Sequence, residues 1–325
     1  MIVRWGLGAL PEACAEAGVL SPLLVASPRW DTLELPVAEA ARWREVPSER
    51  IDDAVSVATG PPADGVLVIG GGSAIDLGKA ISAATGLSLV SVPTTYAGSE
   101  WTSYFGVRDP ERRMRGGGGG AQPIAIVYEP ELTLDLPPET TVGTSMNALA
   151  HCAEALYVHG HNPAADEHAL AGARLVSDWL PGVVSAPHDL EARTELLRGA
   201  CHGGAALAGS MLGLGHAMAQ AIGGRYGLPH GTLNGICLPP ALRLNAAYAP
   251  DAVRRFGEAV GRPDDPAGRV EELAALAGPT RLSELGVPEA DLPSLAADAA
   301  QRGGNLANPR PASPGEIEVL MRAVF

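Results

Sequence analysis

The chain has 325 residues, 46% hydrophobic and 18% charged, which is too long for one typical small domain, comfortable for two, and too apolar for disorder. Its formal charge of −14 excludes the basic face that nucleic-acid backbones require and argues against an anionic membrane surface. The four cysteines, Cys14, Cys152, Cys201 and Cys237, are scattered without a CxxC pair, and there is neither a signal-peptide run nor an apolar stretch of about 20 residues. A soluble protein of the reducing cytoplasm is expected.

In chain order, Leu20 to Ala26 is an apolar run suited to a buried strand. Gly65 to Ile69 is a clearer one, followed by glycines and then by helical character over Ala74 to Ala84. Leu87 to Val92 and Ile124 to Tyr128 read as further strands. Strands alternating with helices, each strand continuously apolar, predict a parallel sheet covered on both faces. The charged run Arg108 to Arg115 and the glycine tract Arg115 to Gly120 read as a flexible hairpin or loop, with Arg113 solvated there rather than contacting substrate.

From Pro138 the texture changes to Ala/Leu/Glu/Arg-rich segments broken by Pro and Gly. Thr144 to Tyr157, Ala164 to Leu180, Leu190 to Ala208, Gly215 to Ile222 and Gly231 to Ala247 are expected helices. The fold class expected is therefore an α/β N-terminal domain with a parallel sheet (residues 1–137) and an all-α C-terminal domain (residues 138–325).

Gly70, Gly71, Gly72 and Ser73, with Asp76 a turn further on, lie directly between a strand and a helix. Glycines there let backbone approach a pyrophosphate, and the helix start offers free N–H groups and a positive dipole end. The run is neither GxGxxG nor a Walker loop, and a tight turn is the plain alternative. A second segment, Val92 to Glu100, also follows a strand and gathers Thr94, Thr95 and Ser99 beside small residues. Two such loops at adjacent strand ends make a plausible dinucleotide cleft.

The ordered set GGGSAIDLGK, PTTYAGSE, MNALAHCAEALY and GLGHAMAQAIGGRYGLPHG, with the tail Asn308-Pro309-Arg310-Pro311, resembles the iron-containing alcohol dehydrogenase superfamily from about Gly65 to Leu244. PTTYAGSE, the stretch from Tyr128 to Thr133 and the run from Met146 to His151 look most like maleylacetate reductases, which reduce the carbon–carbon double bond of maleylacetate with NADH or NADPH. The resemblance implies a dehydroquinate synthase-like nucleotide-binding domain, a helical domain, an active site in the cleft between them, and a homodimer. It further implies cofactor contacts from the glycine loop, Asp76, Thr94, Thr95, Ser99 and Ser27, and catalytic roles for His151, His216, His230, Gln220 and Tyr96.

Asn147 and His151 share a helix face by their four-residue spacing, as do His216 and Gln220, and His230 stands near the start of the next helix. In metal-dependent members an Asp and three His hold Fe²⁺ or Zn²⁺. Here the histidines match at His151, His216 and His230, but the Asp position is Asn147, a neutral amide with less hold on a divalent cation. Without metal, the imidazoles are expected to bind an anionic substrate and move protons. Gln220 replaces a histidine of the family and does not titrate.

Only about 70 residues precede the glycine loop, fewer than the family norm, so the material between Trp30 and Val46 is expected to be reduced. After the first strand stands Ser27, near where NAD-preferring relatives carry an Asp, with Arg29 close by, so NADPH is expected to be accepted. The reading is an NAD(P)H-dependent reductase of a small unsaturated or carbonyl acid. Its alternatives are a metal-dependent alcohol dehydrogenase or aldehyde reductase, and a non-catalytic ligand-binding member.

Overall fold

The computed structural model describes residues 1–60, 63–111 and 113–325; Arg112, inside the charged run, lies outside the described residues. The chain divides into two compact units. Met1–Thr95 with Ser99–Thr133 form the first, and Tyr96–Gly98 with Leu134–Phe325 the second.

The first unit is built from β1 (Ile2–Trp5), α1 (Leu10–Glu16), β2 (Leu23–Ala26), β3 (Ala41–Trp43), α2 (Ile51–Thr59), β4 (Gly65–Gly70), α3 (Gly72–Thr85), β5 (Ser88–Pro93), β6 (Phe105–Arg108), β7 (Met114–Gly118) and β8 (Ala125–Tyr128). Six strands form one sheet in the order β1-β8-β5-β4-β2-β3, all parallel. The continuous apolar character of β4 follows from its two buried faces. Leu67 and Ile69 pack into the core that contains α1 residues, while Val66 and Val68 pack into the core that contains α2 and α3 residues. From β2 the chain steps outward to β3, then returns to β4 and continues through β5, so the order reverses between β2 and β4. Ligands of open α/β sheets bind at the carboxyl ends of strands flanking such a reversal.

Four strands escape the sequence patterns, β1, β3, β6 and β7. β1 is four residues with a charged centre, and it forms by pairing with β8 from Ile2↔Ala125 to Trp5↔Tyr128. β7 is largely glycine, with no side chains to signal a strand, yet it pairs antiparallel with β6 (Phe105↔Gly118), so the expected hairpin or loop is an ordered two-stranded hairpin. Arg113 is exposed within it and bonds Asp109 at 2.8 Å. The segment between Trp30 and Val46 is reduced to a three-residue edge strand, β3, without an α-helix.

The second unit is helical: α4 (Pro138–Ala155), α5 (Pro163–Ser185), α6 (Leu190–Gly209), α7 (Leu214–Tyr226), α8 (His230–Asn245), α9 (Pro250–Ala259), α10 (Pro266–Ala274), α11 (Leu292–Ala300), α12 (Gly303–Leu306) and α13 (Pro314–Ala323). Pro at the first turn starts α4 and α5, and side-chain caps from Asn162 and Asp189 start α5 and α6. α4 is the central element, packed on α5, α6 and α8, while α7, α8, α11 and α13 share an apolar core. A Cβ on Gly231 would lie 2.1 Å from the Gly143 carbonyl oxygen, so α8 begins backbone to backbone against α4. Among the described residues no single helix is long and apolar enough to cross a membrane. Only the pair α6 and α7, taken together across a 99° bend, passes on length and composition.

Candidate active site

At the carboxyl edge of the sheet, β4 ends at Gly70, which pairs in register with Pro93 of β5, while Ala26 of β2 pairs with Ile69 on the other side. Ser27, Gly71 and Thr94 therefore emerge from three adjacent strand ends. Gly70 adopts φ +155°, a conformation open to glycine, and its carbonyl accepts from the Thr94 N–H at 3.0 Å. A Cβ on Gly71 would meet Thr95 Cγ2 at 2.8 Å. Glycine thus leaves bare backbone at the turn into α3, whose first N–H groups begin at Gly72 and Ser73. This is a cradle that a side chain would fill, and it suits the pyrophosphate of a dinucleotide. Ser27 opens the short turn after β2, and the Arg29 guanidinium lies 4.7 Å above the Trp30 ring.

Asp76 and Ser99 belong to the support of this cradle. Asp76 Oδ2 accepts from the Gly106 N–H at 3.1 Å and Oδ1 accepts from Ser99 Oγ at 3.4 Å, and burial raises the carboxyl above its ordinary pKa. Lys79, fully buried on α3, donates to Tyr104 O at 2.7 Å and Thr102 Oγ1 at 3.2 Å and stands 3.6 Å from Asp76. The helix that follows the glycine turn thereby holds β6 and its approach. Lys79 went unread because a lysine one turn after an Asp on a helix ordinarily marks a solvated face.

In the helical unit, α4 supplies Asn147 and His151, α7 supplies His216, and α8 supplies His230. The three imidazoles gather. His151 and His216 stack with centroids 4.9 Å apart and planes 12° apart, and His230 stands 5.5 Å from His216. Two residues that sequence reasoning missed hold His216 and His230 in place. Glu154, fully buried, accepts from His216 Nδ1 at 2.6 Å and from the backbone N–H groups of Gly213 (2.6 Å) and His216 (3.1 Å). Asn234 Nδ2 reaches both Asn147 Oδ1 and, at 3.1 Å, His230 Nε2. Both signals lie in helical spacing, Glu154 three residues after His151 and Asn234 four after His230. Burial, reinforced by His216 and His230, holds His151 well below the ordinary imidazole pKa, so this ring is neutral.

Asn147 also donates to Ala97 O at 2.7 Å, which fastens the Tyr96–Gly98 segment to α4. Tyr96 itself is fully buried, and its hydroxyl accepts from Arg193 Nη1 at 3.1 Å. This contact anchors the segment. Arg193, a buried cation bonded to neutral acceptors, also reaches Thr141 Oγ1 at 3.0 Å and Pro187 O at 2.9 Å. Gln220 is half-buried on α7, one turn beyond His216.

The donor set is three imidazoles and an amide, so no carboxylate would ligate a resident Fe²⁺ or Zn²⁺ directly; the nearest, Glu154, is taken up by His216 Nδ1 and two backbone N–H groups. The Asn147 oxygen and His230 Nε2 that would have to ligate already face the Asn234 amide N–H. Among the described residues no group of three His, Cys, Asp or Glu is arranged to hold a metal ion.

The sequence and fold agree with known proteins. Residues 7–130 match the model of the iron-containing alcohol dehydrogenase family, and residues 141–325 match its C-terminal model. A maleylacetate reductase of Burkholderia cepacia is 38% identical over 97% of this chain and 87% of its own length. Maleylacetate reductase 1 of Cupriavidus pinatubonensis is 34% identical over 98% and 92%. The crystal structure of maleylacetate reductase from Agrobacterium tumefaciens superposes with a TM-score of 0.90 at 30% identity, covering 100% of this chain and 95% of that one. These relatives favour a reductase over the two alternatives raised from the sequence. The chain belongs to the iron-containing alcohol dehydrogenase family, is most like its maleylacetate reductases, and is an NAD(P)H-dependent reductase.

Proposed function

We propose that this reductase transfers hydride from NADH or NADPH to a small unsaturated or carbonyl-bearing carboxylic acid, maleylacetate first among them, without a divalent metal. The observation that carries the reading is the amide pair Asn147–Asn234 set among three imidazoles, with the Asn147 oxygen and His230 Nε2 turned to the Asn234 amide rather than toward a cation.

Gly70, Gly71, Gly72 and Ser73 hold the pyrophosphate, with Thr94 and Thr95 beside them and Ser27 toward the ribose. Ser27 carries no charge to repel a 2′-phosphate, so NADPH is accepted. The nicotinamide, when bound, supplies the hydride. His151, His216 and His230 orient the anionic substrate, and their N–H groups stabilise the negative charge that develops on its oxygen. One imidazole then gives the proton that completes the reduction. Glu154 fixes His216 by taking its Nδ1–H, which sets the orientation of the ring and turns Nε2 toward the site. Tyr96 serves by anchoring its segment, and Gln220 donates hydrogen bonds without titrating. The reading includes a cytoplasmic homodimer; cysteines that are all free suit a reducing compartment.

The test is oxidation of NADH and of NADPH with maleylacetate by enzyme stripped with a chelator. Turnover equal to that of untreated enzyme is expected with both nucleotides. A loss restored by Fe²⁺ or Zn²⁺ would overturn the metal-free scheme, and no turnover with either nucleotide would remove maleylacetate as substrate.

A further inference from the structure

On the helical unit, on two helices other than those that carry the three clustered imidazoles, a second pair of histidines faces one another. His168 projects from α5 and His202 from α6, two helices that pack along their lengths. Their Nδ1 atoms are 2.8 Å apart, with ring centroids at 5.1 Å and planes at 42°. His168 is exposed and His202 half-buried, so water and small cations reach the pair.

We propose that His168 and His202 form a chelating site for a divalent transition-metal ion, Cu²⁺ or Ni²⁺ rather than Zn²⁺, that cross-links α5 to α6. Two imidazole nitrogens this close share one proton along the line between them or, with both rings turned so that their lone pairs converge beside that line, one cation. The spacing distinguishes the cations. With metal–nitrogen bonds of about 2.0 Å, ligands at 90° lie about 2.8 Å apart, whereas tetrahedral ligands lie about 3.3 Å apart. The observed separation is that of adjacent positions on a square-planar or tetragonal centre, the geometry of Cu²⁺ and Ni²⁺. Imidazole suits both ions, and Cu²⁺ stands above Ni²⁺ and Zn²⁺ in the general affinity order. Among the described residues no third His, Cys, Asp or Glu completes the set, so water fills the remaining positions.

The experiment is titration of the purified full chain with CuCl₂, NiCl₂ and ZnCl₂ by calorimetry, with electron paramagnetic resonance of the copper form and thermal melts. His168→Gln and His202→Gln are the variants. Because His168 is exposed, its variant is expected to keep the fold, checked by circular dichroism. The expected result is one copper per chain that both variants lose, with nitrogen splitting from two imidazoles and a Tm rise of about 3 °C in the wild type only. Copper bound at the His151, His216 and His230 cluster would persist in both variants and so be counted separately. Unchanged copper stoichiometry in either variant, or Zn²⁺ bound more tightly than Cu²⁺, would overturn the proposal and leave the pair a simple N–H···N hydrogen bond.

Discussion

Glu154 satisfies three donors with two oxygens, the imidazole of His216 and two backbone N–H groups at the start of α7. Glu154→Gln keeps the shape but brings an N–H of its own into a site of donors. A stability loss of about 1–3 kcal/mol is expected from the mismatched group, and a fall in kcat of about 100-fold from the released His216. Melting curves and steady-state rates measure both, and an unchanged kcat in a folded variant would remove His216 from the chemistry. His151 governs a different observable. In the unfolded chain its ring takes a proton near 6.5, while the buried ring resists protonation until well below that value. As pH falls, the unfolded state binds the proton first, so the stability His151 contributes is fully present above about 6.5 and drains away beneath it. Melts between pH 8 and 5 are expected to show this decline, reduced in His151→Gln; equal slopes would assign it elsewhere. The histidines were legible in the sequence because motif and helical spacing mark them. Glu154 and Asn234 were not, since the partners that give them meaning stand on other helices, and a buried Glu looks the same in sequence as a solvated one.

At the scale of elements, the longer helices of the second unit were legible from apolar periodicity and their Pro and Gly punctuation, to within a turn or so at most ends. α4 begins earlier than the apolar pattern did, at Pro138, because its first turn is polar and Pro fixes the start. β1, β3, β6 and β7 were not legible, since these short strands are made by their pairing partners rather than by their own residues. The junction of α8 with α4 is a case where one atom matters to an element. Gly231→Ala would press its methyl into the Gly143 carbonyl and push the first turn of α8 outward. The expected cost is about 1–3 kcal/mol in stability, with kcat falling about 100-fold as His230 shifts. Nucleotide affinity, measured by fluorescence titration, is expected to hold, because the phosphate cradle belongs to the other unit. A matched loss of nucleotide binding would contradict that division.

For the molecule as a whole, the α/β half and helical half were legible as a change of texture near Pro138, whereas the reversal of strand order between β2 and β4 was not, because strand order depends on pairings far apart in sequence. That reversal places the glycine cradle where a nucleotide would be gripped by the native state alone. NADPH at about 100 times its Kd is therefore expected to stabilise the protein by about 2.7 kcal/mol. Gly71→Ala, whose methyl would crowd Thr95, is expected to need roughly tenfold more nucleotide for the same rise in Tm, about 1.4 kcal/mol of lost affinity. Thermal melts across a nucleotide series decide, and identical curves would move the phosphate site elsewhere. The seam at Gly231 has a longer reach. A contact made by backbone alone offers mutation nothing to adjust by degrees, since every side chain larger than hydrogen meets the same carbonyl. A change at the seam is therefore all or nothing, since any side chain there moves the first turn of α8 and carries His230 with it.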